Sequence, residues 1–297
     1  MSSQEFADAS QPQQHKEDWD AVIESKQSFL NINFKELWNY RDLLMLFVKR
    51  DVVTVYKQTI LGPLWYLIQP LFTSLIFTII FNNVAGISTG ATPSFLFNLA
   101  GVMVWNYFTS CLNETSDTFK KNASIFGKVY FPRLIVPLSV VISNLVKFGI
   151  QFLIFVCFYI FYVFQGMTFE ITSAVLLFPL LVALMGILGL GMGMIISSMV
   201  TKYRDLSFLV GFGVQLLMYV SAVMYPMALL KEKLPKFGWL IEYNPLAYVI
   251  ETARYLLLHE GKISNLGLLY TIGVTFIIFV IGLLVFHKTE KSFIDTV

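Results

Sequence analysis

Long uncharged stretches alternate with short charged ones along most of this chain. After Lys57 no charged residue occurs until Glu114, and further uncharged runs cover Leu134–Val146, Phe148–Phe169, Ile171–Thr201, Leu206–Leu230 and Ile263–Phe286. A helix needs roughly 20 apolar residues to cross about 30 Å of hydrocarbon. The runs therefore predict six membrane-spanning helices, over about Pro63–Val84, Phe95–Leu112, Leu134–Phe164, Ser173–Val200, Leu206–Met224 and Leu266–Phe286. Asn82-Asn83 with Gly86–Pro93, and later Gln165-Gly166, supply the turn residues between them. Six spans put both termini on the same side.

Two segments follow a different pattern. Phe34, Leu37, Trp38, Met45, Val48, Val52 and Val55 recur mostly at three- and four-residue steps, with Lys35, Asp42 and Lys49 on another face. That predicts an amphipathic helix lying in the membrane interface. Pro226–Gly261 is too charged to cross the bilayer and too apolar to float free. Asn244-Pro245 is a good cap and first-turn pair for a helix over Leu246–Leu258. Two short re-entrant helices packed against protein fit this segment. The expected fold is all-α and polytopic: a cytoplasmic tail over 1–33, an interfacial helix over 34–60, a transmembrane domain over 61–290 and a short tail over 291–297.

Composition agrees: 56% of residues are hydrophobic and 13% charged, with a mean hydropathy of +0.68, whereas soluble domains average about 25% charged. A soluble enzyme, a nucleic-acid binder and a disulfide-stapled secreted domain are excluded. Cys111 and Cys157 lie inside apolar runs and read as small buried hydrophobes. Residues 1–33 lack the apolar core of a cleaved leader. Lysines and arginines gather on the amino-terminal side, from Lys16 to Lys57, then Lys120, Lys121, Lys128 and Arg133, then Lys202 and Arg204, then Lys288 and Lys291. By the positive-inside rule both termini are cytoplasmic.

The chain contains no phosphate-binding Gly-x-x-x-x-Gly-Lys-Ser/Thr loop. His15, His259 and His287 have no metal-ligand spacing. Gly189-Leu-Gly191-Met-Gly193 has no strand before it and reads as small-residue helix packing. Neither catalysis nor a bound cofactor or metal is expected. On the third span Ser139, Ser143, Asn144, Lys147 and Gln151 share one helix face. Lys147 falls about 13 residues into that span, near the bilayer centre by the 1.5 Å rise, where a charge must face protein or water. The stripe is either the wall of a transport pathway or a polar helix contact. Gln69, Thr73, Ser74 and Thr78 form a weaker second stripe, and Trp65, Tyr66 and Trp105 would offer stacking faces to sugar rings if turned inward. In Ser116–Tyr130, Phe119, Ala123 and Phe126 line one face, ringed by Asp117, Lys120, Lys121 and Lys128. This reads as an aromatic knob that docks a soluble partner, with a turn packed on the bundle as the alternative.

Together these residues resemble a family. Val48-Lys49-Arg50-Asp51, Tyr56-Lys57-Gln58-Thr59-Ile60-Leu61-Gly62-Pro63-Leu64-Trp65, Gln69-Pro70, Lys128-Val129-Tyr130-Phe131-Pro132-Arg133, Tyr203-Arg204-Asp205 and Asn244-Pro245-Leu246-Ala247 are similar to segments of the membrane subunits of ABC exporters for O-antigen, capsule and teichoic acid. The likeness covers about residues 34–290. It implies a permease subunit that pairs as a homodimer in the bacterial inner membrane and binds two copies of a cytosolic ATPase, which holds the ATP and magnesium. The substrate it implies is a lipid-linked polysaccharide. In that scheme Phe119, Lys120, Ala123 and Phe126 couple to the ATPase. Lys49, Arg50, Lys57, Gly62 and Arg133 receive the lipid head group, while Ser143, Asn144, Lys147, Gln151, Trp65, Tyr66 and Trp105 wall the channel. Tyr243, Pro245, Glu251 and Arg254 belong to gate helices at the outer mouth, over 226–258. An ABC exporter of drugs or lipids has a similar topology. A non-ABC channel or proton-coupled carrier is disfavoured, since acidic residues are missing from the spans.

Overall fold

The computed structural model describes residues 34–57, 62–170, 172–203, 205–233 and 235–294. The expected tail over 1–33, Gln58–Leu61 of the expected head-group gate, and Arg204 lie outside them. Every regular element among the described residues is helical. Helices α1 (Phe34–Asn39) and α2 (Arg41–Lys57) come first, followed by a short 3-10 turn, Gly62–Leu64. The first apolar run forms α3 (Trp65–Phe77), which widens into a π-helical segment, Thr78–Val84. Then follow α4 (Ser94–Ser116), α5 (Thr118–Phe126), α6 (Ile135–Phe164) and α7 (Phe178–Lys202), entered through a 3-10 turn at Ser173–Leu177. The chain continues through α8 (Leu206–Val220), α9 (Met227–Lys233), α10 (Gly238–Glu242) and α11 (Pro245–Leu258) to α12 (Asn265–Ile294).

Five of these segments are long and apolar enough to span a membrane: Trp65–Val84, Ser94–Ser116, Ile135–Phe164, Ser173–Lys202 and Asn265–Lys291. The expected fifth span, over Leu206–Met224, is shorter than anticipated. Helix α8 has 15 residues, about 22 Å of rise, because the chain turns at Ser221–Tyr225 and passes through Ala222 with φ 53°.

Helix α4 is the hub. It packs on α3, α6, α7 and α11, and Leu96, Leu99, Met103, Phe108 and Leu112 are all buried along it. The four glycines of α7, Gly186, Gly189, Gly191 and Gly193, explain how its neighbours come so close. A Cβ on Gly189 would stand 2.9 Å from the Phe108 carbonyl of α4, and one on Gly191 would stand 2.9 Å from the Phe279 Cα of α12. Two backbones thus approach α7 from opposite sides, as small residues permit between helices in lipid. Gly191→Val overpacks this contact and is expected to cost about 1–3 kcal/mol, read as a lower unfolding temperature in detergent. An unchanged temperature would refute the close approach.

The Asn244-Pro245 pair starts α11. The Asn244 side chain accepts the Leu246 N–H at 3.0 Å, and the helix ends on His259 in the left-handed region. Glu260 then ties this end to the α3–α4 loop, accepting N–H bonds from Ala91 at 2.9 Å and Thr92 at 3.1 Å.

Candidate functional site

Helix α5 follows α4 after a single residue and is amphipathic, yet its apolar side faces inward. Phe119 is 1% and Phe126 7% exposed, packed with Ile135, Leu190, Met194 and Phe286. The expected aromatic knob is therefore corrected: both rings anchor α5 to the bundle. The face that α5 offers outward is Lys120, Lys121 and Ser124, continued by Lys128, Val129 and Tyr130, with Ala123 half-buried at its edge. Sequence periodicity identified the apolar face but not what covers it.

The polar stripe of α6 is corrected in the same way. Ser139, Ser143, Asn144 and Gln151 are buried in the bundle rather than lining an open surface. Asn144 donates to Glu114 at 3.1 Å and the Lys147 ammonium reaches the other Glu114 oxygen at 2.6 Å. Glu114 lies two residues from the end of α4, so Lys147 sits level with the α5 end of that helix. The 30 residues of α6 rise about 45 Å, more than the roughly 30 Å of hydrocarbon. Lys147 also stands 5.6 Å from the Tyr66 ring centroid, in a small cleft with Val52, Val146 and Ile150. Of the expected channel aromatics, Trp105 is buried in the core while Trp65 is 51% exposed.

At the opposite end Arg254 is wholly buried. Its guanidinium donates to the backbone carbonyls of Phe97 at 3.3 Å, Ala222 at 2.8 Å, Tyr225 at 3.4 Å and also Val223. It lies 3.9 Å from Glu251, also buried, and 3.9 Å over the Phe97 ring. A Cβ on Gly101 would meet Arg254 Nη2 at 2.3 Å, so only glycine leaves room for this side chain. Expected as gate residues, Arg254 and Glu251 instead cap the turn after α8 and fasten it to α4. Tyr243 is exposed, and its carbonyl accepts the Tyr270 hydroxyl at 3.1 Å. Pro245 opens α11. No cluster of three or more metal-ligating side chains occurs among the described residues.

The sequence profile of the ABC-2 type transporter family matches residues 42–258, from within α2 to the last residue of α11. This chain belongs to the ABC-2 transporter family. It is 31% identical over 256 residues to the O-antigen export system permease protein RfbA of Klebsiella pneumoniae, covering 86% of this chain and 94% of that one. It is 24% identical over 233 residues to the RfbA permease of Myxococcus xanthus, covering 78% of this chain and 85% of the relative. With the polysialic acid transport protein KpsM of Escherichia coli it shares 24% identity over 252 residues, 83% of this chain and 93% of that one. An ABC-2 permease is a multi-pass membrane protein that works with a cytosolic ATPase.

In this ABC-2 permease the expected head-group cations divide into two sets. Lys49 and Lys57 are exposed on α2. Arg50 pairs with Asp51 at 2.8 Å and stacks over Phe47 at 4.7 Å. Gly62 takes φ 47°, a left-handed turn that glycine adopts without strain. Arg133, by contrast, is 6% exposed and committed: it donates to the Glu290 carbonyl at 2.9 Å and lies 5.1 Å over Phe126. Burial lowers the pKa of its guanidinium, and Glu290 opposes that shift. Arg133 is thus removed from the head-group set.

Two ABC-2 helices have open faces that sequence reading underrated. Helix α8 has no buried residue, and Phe208, Phe212, Gln215 and Tyr219 are exposed along it. Helix α3 buries only Pro70 and Ser74 and exposes Gln69 and Phe72. An exposed glutamine at membrane depth is costly against lipid, which was the available signal at both positions. Single cysteines at Gln69 and Gln215 should react with a membrane-impermeant thiol reagent, and cysteines at Ser143 and Asn144 should stay protected. Equal labelling at all four would contradict this division.

Proposed function

We propose that this chain is the membrane-spanning subunit of an ATP-driven exporter that carries a lipid-linked, O-antigen-like polysaccharide across the bacterial inner membrane. Two copies pair as a homodimer, each seating one cytosolic ATPase on the cationic face of α5, and both termini are cytoplasmic. The observation that carries this reading is the pair of open, glutamine-bearing faces on α3 and α8. A sugar polymer needs a wet wall, because dry hydrocarbon cannot satisfy its hydroxyls. Two copies that bring these faces together would enclose such a path, with Phe72, Phe208 and Phe212 offering ring faces to sugars. The names of the permeases to which the chain is similar support polysaccharide cargo.

The path begins at the α5 end. Lys49, Lys57 and the Gly62 turn stand where a phosphate-bearing head group would arrive from the inner leaflet, and partial desolvation strengthens charge-assisted bonds there. Export of capsule or teichoic acid, or of a lipid or drug, uses the same architecture. Deletion of the gene separates these readings: the exporter reading expects a lipid-linked glycan to accumulate inside the cell. Normal surface glycan with no such accumulation would refute it.

A further inference from the structure

Five phenylalanine rings form a continuous row at the α5 end of the bundle. Phe47 of α2 lies 5.7 Å from Phe131, Phe131 lies 5.8 Å from Phe126, Phe126 lies 6.0 Å from Phe119, and Phe119 stacks 4.7 Å from Phe286 of α12. All four spacings are those of rings in direct contact. None of the five is more than 7% exposed. The row runs from the interfacial helix, through both rings of α5 and the loop after it, into the last span.

Helix α5 follows α4 after one residue, with the Thr118 hydroxyl donating to the Thr115 carbonyl at 2.7 Å, and it also packs on α7. Helices α2 and α12 are distant in sequence, and these rings and the Arg133 clamp link them to α5. That clamp fixes the row from the side. The Arg133 side chain donates to the Glu290 carbonyl, its backbone N–H reaches Glu290 Oε1 at 3.5 Å, and His287 Nδ1 stands 3.3 Å from Glu290 Oε2. Close-packed interiors have low compressibility and shift between discrete arrangements. A push on one ring therefore displaces its neighbours instead of being absorbed.

We propose that this aromatic row is a coupling relay, through which movement of α5 carries the interfacial helix α2 and the last span α12 along with it. Phe286 and Glu290 lie beyond the segment matched by the family profile, and they act here as positioning residues for α5. The proposal rests on the exporter reading, in which α5 is where the ATPase pushes.

Spatial continuity is not itself coupling, so the test reads export and ATP hydrolysis separately. The whole complex, permease with its ATPase in vesicles, is compared for wild type, Phe286→Leu and Phe286→Tyr. Leucine keeps an apolar side chain but removes the ring contact with Phe119; tyrosine retains the ring. The relay expects Phe286→Leu to assemble and hydrolyse ATP as wild type does, while export per ATP hydrolysed falls about tenfold, within the usual range of coupling between sites. Phe286→Tyr should restore the ratio. Should Phe286→Leu fail to accumulate, Phe286→Met, whose flexible thioether fills irregular gaps, is read in its place. A merely structural role lowers the amount of complex and leaves export per ATP unchanged, and that result overturns the relay. A wild-type complex that exports no lipid-linked glycan sinks the exporter reading and the relay together, whereas wild-type export with unaltered variant coupling sinks the relay alone.

Discussion

Arg254→Met should remove most of the folded permease from the membrane, a loss of about 3–5 kcal/mol, as is usual when one partner of a buried charge network is deleted. Four backbone carbonyls around Ala222 and Phe97 would lose their donor, and the buried Glu251 would lose its cation. Unsatisfied buried groups cost about 1–3 kcal/mol each, and methionine supplies volume but no hydrogen bond. Glu251→Gln should be much milder, because Arg254 keeps its carbonyls. Gly101→Ala should resemble the arginine variant in kind, since its Cβ would intrude on the guanidinium. The check is thermal unfolding in detergent, together with the amount of folded protein extracted. An Arg254→Met protein that melts with the wild type would show that the cap does not hold α8 to α4.

Reversing the charge of the outward face of α5, with Lys120→Glu and Lys121→Glu together, should release the ATPase and leave the permease folded. Both lysines are exposed, and Lys121 makes only a surface pair with Asp117 at 3.0 Å, so the fold loses little. Capture of the ATPase should weaken about tenfold or more, some 1.4 kcal/mol. Phe126→Asp should act differently. It places a carboxylate among Phe119, Phe131 and Arg133 in a packed site, and loss of folded permease precedes any loss of partner. If Phe126→Asp remains folded and sheds only the ATPase, the inward packing of α5 is wrong. If the double lysine variant binds the ATPase normally, the cationic face is not the dock.

Five of the six expected spans were legible because charge exclusion from hydrocarbon is strong and operates residue by residue. The start of α11 was legible too, since Asn-Pro has one favourable placement at a helix amino terminus. The orientation of α5 was not. Phe119 and Phe126 mark an apolar face, but a bundle and a docking partner cover such a face with the same chemistry. The partner of Lys147 was not legible, because counting residues from the start of α6 does not show that its ammonium reaches Glu114 near the end of α4. Glu114 was the usable clue, an acidic residue that α4 carries toward the same end. Arg254 was expected only as a gate residue at the outer mouth. Only the fold brings Ala222, Tyr225 and Phe97 around it, and the Glu251–Arg254 spacing was the sole hint in the sequence.

The central claim, ATP-driven export of a lipid-linked polysaccharide by this permease with its ATPase, is tested most directly in reconstituted vesicles. The measurement is the appearance of the glycolipid in the leaflet opposite the ATPase. The account predicts transfer that needs ATP, the permease and the ATPase together, and that fails with the Lys120→Glu, Lys121→Glu variant. A complex that hydrolyses ATP and moves a simple phospholipid or drug, yet leaves the lipid-linked polysaccharide in its original leaflet, would contradict it.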